Sequence, residues 1–222
     1  MINNWLGLLI SLLYIFGLIG LGEGLRRWQG YSSDFTRKVI HIGVGMLSWG
    51  LHLLFDNPWF FITACAVFMI INLLDWRYGY FAAMASGDRA NLGTVYFPLA
   101  AGIVAYLFWQ QPPLMVAALM PLTWGDGLAS VVGRAYGRHP YSVHSSRRTL
   151  EGSAGFFSFS FLFTWLALWL ISGPPGITPL AALLPALIIS LITALVEAVS
   201  IWGLDNLTIT AVAILILKAW PF

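Results

Sequence analysis

The sequence predicts an all-α, polytopic membrane helix bundle of about seven to eight transmembrane helices with its N-terminus outside. Three observations carry that expectation. Of the 222 residues, 59% are hydrophobic and only 9% are charged, against about 25% charged in a soluble domain. Apolar stretches of crossing length follow one another with brief breaks. Lysine and arginine gather in alternate connections. So little polar surface excludes a soluble particle, and a net charge of +2 gives no case for nucleic acid. Cys65 stands alone, which excludes an intrachain disulfide and a cysteine-based zinc site.

The expected spans are residues 4–24, 39–55, 58–74, 94–109, 114–132, 154–171, 179–202 and, shorter, 207–220. The first seven are close to the roughly 20 apolar residues that cross a hydrocarbon core, and the eighth is short enough to be tilted, interfacial or paired with a neighbour. The connections 56–57, 110–113 and 172–178 are short and carry Pro, Gly or Asn, residues that break helices. The first stretch lacks a basic n-region and runs past the usual length of a signal peptide, so it is expected to stay as a helix. Residues 1–222 read as a single integral membrane domain, with the motifs between about 37 and 210.

Orientation follows from the basic residues. Arg26, Arg27, Arg37 and Lys38 fall around the first connection, Arg77 and Arg89 after the third span, and Arg134, Arg138, Arg147 and Arg148 after the fifth; Lys218 is the exception. These connections are expected to be cytoplasmic. The acids repeat the asymmetry: Glu23, Asp34, Asp75, Asp88, Asp126, Glu151, Glu197 and Asp205 map to the same side, and Asp56 faces outward. Acids contribute little to topology, so their clustering needs another cause. Ionisable groups within spans are costly and face a cavity or a partner. The plain alternative is that Asp126 and Glu197 each pair with a nearby arginine.

The segment Trp124-Gly-Asp-Gly places Asp126 between Gly125 and Gly127, shortly after Pro121. Glycine permits unusual backbone angles and close approach, and proline removes a helix hydrogen bond. A helix broken here would line a cavity with free backbone groups. Asp126 is therefore a candidate ligand for a hard cation, Mg²⁺ being the choice beside phosphates. Residues 133–153 combine four arginines, two histidines and five Ser or Thr hydroxyls. Arginine forks match phosphate oxygens, and the helix that follows can aim its N-terminus at an anion. Arg37, Lys38 and His41 share neighbouring parts of one helix face, with His41 a candidate phosphate contact or general base. Glu197 with Asp205 and Asn206 can complete a metal site or orient a hydroxyl, and Asn72 and Asp75 have similar standing. No P-loop, protein-kinase set, serine elbow or HExxH is present.

Taken together, Arg37-Lys38-x-x-His41, the block from Gly125 through Ser130, Gly133 and Arg134 to Gly137, the run Ser146-Arg-Arg-Thr-Leu-Glu-Gly152, and Glu197 followed by Asp205-Asn206 resemble the polyprenol kinase family. Within it the chain is most similar to the phytol kinase branch. The resemblance implies transfer of the terminal phosphate of a nucleoside triphosphate, usually CTP, to an isoprenoid alcohol such as phytol, geranylgeraniol or farnesol. It implies a divalent metal and an active site at the cytoplasmic face, among membrane lipids. Carried onto this sequence, it implies catalytic roles for Asp126, His41 and Glu197, and a metal at Asp126, Glu197, Asp205 and Asn206. Nucleotide and phosphate contacts fall on Arg37, Lys38, Gly125, Gly127, Ser130, Gly133, Arg134, Ser146, Arg147, Arg148, Thr149, Glu151 and Gly152. Two rival readings are a cytidylyltransferase that forms a CDP-lipid and, in a different class, an ion-coupled transporter. The Gly-Asp-Gly block has no internal repeat and the charges hug one face, which disfavours the transporter.

Overall fold

The computed structural model describes residues 3–85, 91–143 and 146–222. Helix α1 (Asn4–Gln29) starts where the Asn3 side chain accepts from the Trp5 amide at 3.0 Å and stops at Gly30, whose φ of 70° suits glycine. Ser32 caps α2 (Ser33–Met46), which continues through a 3₁₀ turn at Leu47–Gly50 into the short α3 (Leu51–Leu54). Asn57 and Pro58 open α4 (Pro58–Tyr78), and α5 (Gly93–Phe108) follows. Next comes one continuous rod: α6 (Pro112–Met120), a π-helical stretch at Pro121–Asp126, and α7 (Gly127–Tyr136). Strands β1 (Pro140–Val143) and β2 (Ser146–Thr149) form an antiparallel hairpin. Three helices complete the chain: α8 (Leu150–Leu170), α9 (Pro179–Val199) and α10 (Asp205–Ala219).

The all-α expectation holds, with the hairpin as the one addition among the described residues. Five helices are long and apolar enough to cross a membrane: α1, α4, the Pro112–Tyr136 rod, α8 and α9. The other three expected spans are also helical but shorter or divided. Residues 33–54 form three pieces, α5 has 16 residues and α10 has 15. At about 1.5 Å per residue α10 is roughly 22 Å long, short of a hydrocarbon core of about 30 Å. It instead packs Ile209, Ala213 and Leu217, all essentially buried, among α5, α6 and α9.

The rod is the centre of the bundle. Its apolar window is 67% buried, against 22% for α1 and 17% for α4. Met115 through Ala118, Met120 and Leu122 are wholly enclosed, while α1 and α4 turn Leu and Trp side chains outward as lipid-facing helices do.

Two local expectations change. The connection expected at 25–38 shrinks to residues 30–32, because α1 runs on to Gln29 and holds Arg26 and Arg27 against Glu23 at 3.2 and 3.4 Å. The break expected around Gly125 is a π turn instead. Pro121 lacks an N–H and its ring crowds the preceding turn, and the backbone absorbs this by widening rather than by opening. Gly125, Gly127, Gly133 and Gly152 all have ordinary negative φ, so close approach is their role. A Cβ on Gly125 would lie 3.1 Å from the Phe156 ring, and one on Gly127 would lie 2.5 Å from Ile42.

At Gly152 an added Cβ would lie 2.9 Å from the Ala129 carbonyl oxygen and 3.3 Å from the Gly133 Cα. Both are backbone and cannot step aside, so α7 and α8 must separate. Gly152→Ala is therefore expected to cost about 1–3 kcal/mol. Gly17→Ala on α1, where nothing lies within 4 Å, should gain up to about 1 kcal/mol through helix propensity. Thermal unfolding in one detergent reads both signs, and equal effects at the two sites would contradict this packing.

Candidate active site

The widened turn sets the site. Asp126 ends the π stretch and Ser130, Gly133, Arg134 and Gly137 follow along α7, facing the same polar cavity. Helix α2 crosses α7 and delivers Lys38, whose Nζ donates to both the Asp126 carboxylate, at 2.8 Å, and its backbone carbonyl, at 2.9 Å. One turn on, His41 Nε2 donates to the Leu122 carbonyl at 2.8 Å and lies 3.5 Å from the same carboxylate. Leu122 belongs to the π stretch, so the wide turn and the histidine are fixed together.

The hairpin supplies the basic wall. Its register pairs Tyr141 with Arg148 and Ser142 with Arg147, and side chains alternate along a strand, so the two adjacent arginines leave on opposite faces. Arg148 turns in, pairs with Glu197 at the end of α9 and donates to the Ser200 carbonyl at 2.7 Å. Arg147 stays exposed at the cavity. Two anchors hold the hairpin: the Tyr141 hydroxyl and Ser153 Oγ lie 2.7 Å apart, and Thr149 Oγ1 accepts from the Gly152 amide at 3.1 Å as the cap of α8.

One polar cavity thus gathers Arg37, Lys38, Asp126, Ser130, Gly133, Arg134, Arg147, Arg148, Thr149, Gly152, Glu197 and Asp205. Several of its donors are buried without a partner: Ser130 Oγ, Arg37 Nε and Arg148 Nε. Such groups are costly unless a ligand meets them. Five expected residues stand elsewhere. His41 sits at the Leu122 carbonyl and does not line this cavity. Gly125 and Gly127 pack against Phe156 and Ile42. Glu151 accepts from the His139 ring at 2.6 Å, away from the cavity. Asn206 donates to the Gly203 carbonyl at 3.1 Å and to Asp205 Oδ1 at 3.0 Å. The Ser146 side chain, His144, Ser145, Asp88 and Arg89 lie outside the described residues.

Arg138, one of the four arginines of residues 133–153 expected to meet phosphate, also lines the cavity. Two features escaped the sequence reading. Asp34 takes Arg37 at 3.4 Å and Arg134 at 3.1 Å, tying two rim arginines together. A second, largely apolar cavity runs between α1, α2, α4 and α5, and Arg37, Lys38, Asp126 and Asp205 line it too. His41, Asn72, Asn91 and Asn206 add polar groups near that shared wall. No sequence signal marks this cavity, because its lining is indistinguishable from ordinary apolar helix faces.

A divalent cation fits the carboxylates. Among the described residues no three His, Cys, Asp or Glu side chains converge as a protein-only metal cage. Mg²⁺ does not need one, being held by one or two carboxylates together with substrate phosphates. Asp126 and Asp205 face the same cavity and would supply them, Asp126 with Lys38 already on its Oδ2 oxygen; Glu197 is engaged by Arg148.

The chain is 30% identical to a phytol kinase of Synechocystis, over 97% of this chain and 91% of that protein. It is 26% identical to a chloroplastic farnesol kinase of Arabidopsis thaliana, over 90% of this chain and 70% of that one. A probable phytol kinase of Triticum aestivum shares 26% over 69% of this chain and 55% of its own length. No family model and no solved structure matches.

Proposed function

This chain belongs to the polyprenol/phytol kinase family, and from that premise we propose that it transfers the γ-phosphate of CTP to an isoprenoid alcohol at the cytoplasmic membrane face. The observation that carries the proposal is the shared wall: Arg37, Lys38, Asp126 and Asp205 line a basic polar cavity on one side and an apolar one on the other. A water-soluble triphosphate and a lipid hydroxyl have to meet at such a boundary.

In this reading Arg134, Arg138, Arg147 and Ser130 bind the donor phosphates, and Arg148 is held in place by Glu197. Arginine suits this task because its fork binds two oxygens at once. Asp126 and Asp205 would hold Mg²⁺, which would supply charge neutralisation there. Lys38 neutralises charge on the transferring group, and phosphoryl transfer depends mostly on such positioning and electrostatics. The alcohol enters from the apolar side, and Asp126, oriented by Lys38 and His41, accepts its proton. The oxygen then attacks the γ-phosphorus, the bond to the β-phosphate oxygen breaks, and CDP leaves.

Membrane vesicles of known sidedness, given CTP labelled separately at the α and γ positions, test this. The expected result is γ label on phytol, geranylgeraniol or farnesol, only in vesicles whose cytoplasmic face is outward. α label in any lipid would establish a cytidylyltransferase. γ label on diacylglycerol alone would overturn the acceptor, and transfer in vesicles of the opposite sidedness alone would overturn the orientation.

A further inference from the structure

We infer that the apolar cavity is a blind tunnel for the isoprenoid tail and that Phe55 and Phe61, at its far end, set the longest tail the enzyme accepts; this rests on the acceptor reading above. The tunnel begins at the shared wall, with Lys38 and Asp126 at its mouth. Phe55 and Phe61 line it too, where α3 ends and α4 begins, Phe61 eleven residues before Asn72 on α4. These rings sit 6.3 Å apart, and Phe55 is only 3% exposed. Behind them the chain turns at Asp56, whose amide donates to the Asn4 side chain at 2.8 Å, and Trp5 of α1 meets Phe60 edge-on at 5.2 Å. The end is thus closed by two rings backed by a stapled turn, not by a side chain free to swing away.

Length follows from helix geometry. Asn72 and Phe61 both face the tunnel from α4, and at about 1.5 Å per residue they stand about 16 Å apart. An extended chain advances about 1.2 Å per bond, as extended polypeptide does. The tunnel therefore takes roughly 13 bonds, a main chain between three and four isoprene units. Beyond the polar groups of the mouth, its walls are apolar apart from Ser11, Ser48 and Thr94. They hold a tail by contact and do not read its individual groups, so the floor is the element that discriminates.

The test measures kcat/KM for isoprenoid alcohols of two to six units and for a long polyprenol, in the full-length protein. In wild type the value should fall at least tenfold between four and six units. Phe61→Ala should raise the six-unit to three-unit ratio at least tenfold, and Ala64→Phe, which fills the tunnel short of the floor, should lower the four-unit to two-unit ratio by a similar factor. One or two methylenes of misfit are worth that much. Ratios within one variant do not depend on the fraction folded, and the two variants move in opposite directions, so loss of either leaves the other decisive. Wild-type activity on the long polyprenol equal to that on the four-unit alcohol, or unchanged ratios in both variants, overturns the floor. Absence of transfer to every alcohol overturns the parent reading and the tunnel's role with it.

Discussion

Asp126→Asn should lower turnover by roughly two to three orders of magnitude, the scale of losing about 3–4 kcal/mol of transition-state charge stabilisation. Asparagine keeps the size of the side chain and one acceptor oxygen. The Lys38 ammonium also keeps its bond to the backbone carbonyl of residue 126, and the polar cavity remains open beside it. What the variant lacks is the charge that holds a cation and takes the proton of the alcohol. Turnover with γ-labelled CTP and the unfolding transition, measured on one preparation, separate chemistry from folding. Near-normal turnover in folded protein would remove Asp126 from the reaction.

Glu197→Gln should destabilise the protein by about 3–5 kcal/mol, because breaking one half of a buried ion pair leaves the other charge uncompensated. The Arg148 and Glu197 side chains are 16% and 9% exposed, and the pair joins the hairpin to the end of α9. Replacing both by apolar residues, Arg148→Met with Glu197→Leu, should return stability close to wild type, since such pairs exchange for packed side chains at little net cost. The double variant also separates two roles for Glu197. If it only orients Arg148, turnover should recover to within about tenfold at saturating CTP, with the loss confined to the donor KM. Recovered stability without recovered turnover would show that the pair serves the reaction itself and not only the fold.

Much of this was legible in the residues. The apolar runs have the length a bilayer demands, whereas the caps at Asn3, Ser32, Asn57, Thr149 and Thr178, though local chemistry, went unread. The gathering of Arg37, Lys38, Asp126 and Arg148 was foreseeable because charge within a span needs company. The pairing was not. Lys38 meets Asp126 where α2 crosses the rod, and Arg148 on β2 meets Glu197 near the end of α9, contacts that no spacing encodes. The hairpin was missed because Pro, His and Ser between Gly137 and Thr149 read as loop, and only the folded hairpin shows Arg148 paired with Glu197 and Arg147 left exposed. Asp34 was noted as an acid on the expected side, yet nothing in its neighbourhood indicated that it spans two arginines.

The π stretch at Pro121–Asp126 also lets one rod serve two media. Every residue from Pro113 to Met120 is buried in protein, so α6 has no preferred face to show. α7 has one, running from Asp126 through Ser130 and Gly133 to Arg134 and Gly137. A π turn takes up extra residue length relative to an α turn, and one residue corresponds to about 100° around an α-helix. The neighbours of Asp126 show what that angle means: Gly125 abuts Phe156 and Gly127 abuts Ile42, places where a carboxylate would be shut against hydrocarbon. The insertion acts as a phase shifter. It resets the angular origin midway along a single span, so the polar stripe of the second half owes nothing to the packing of the first.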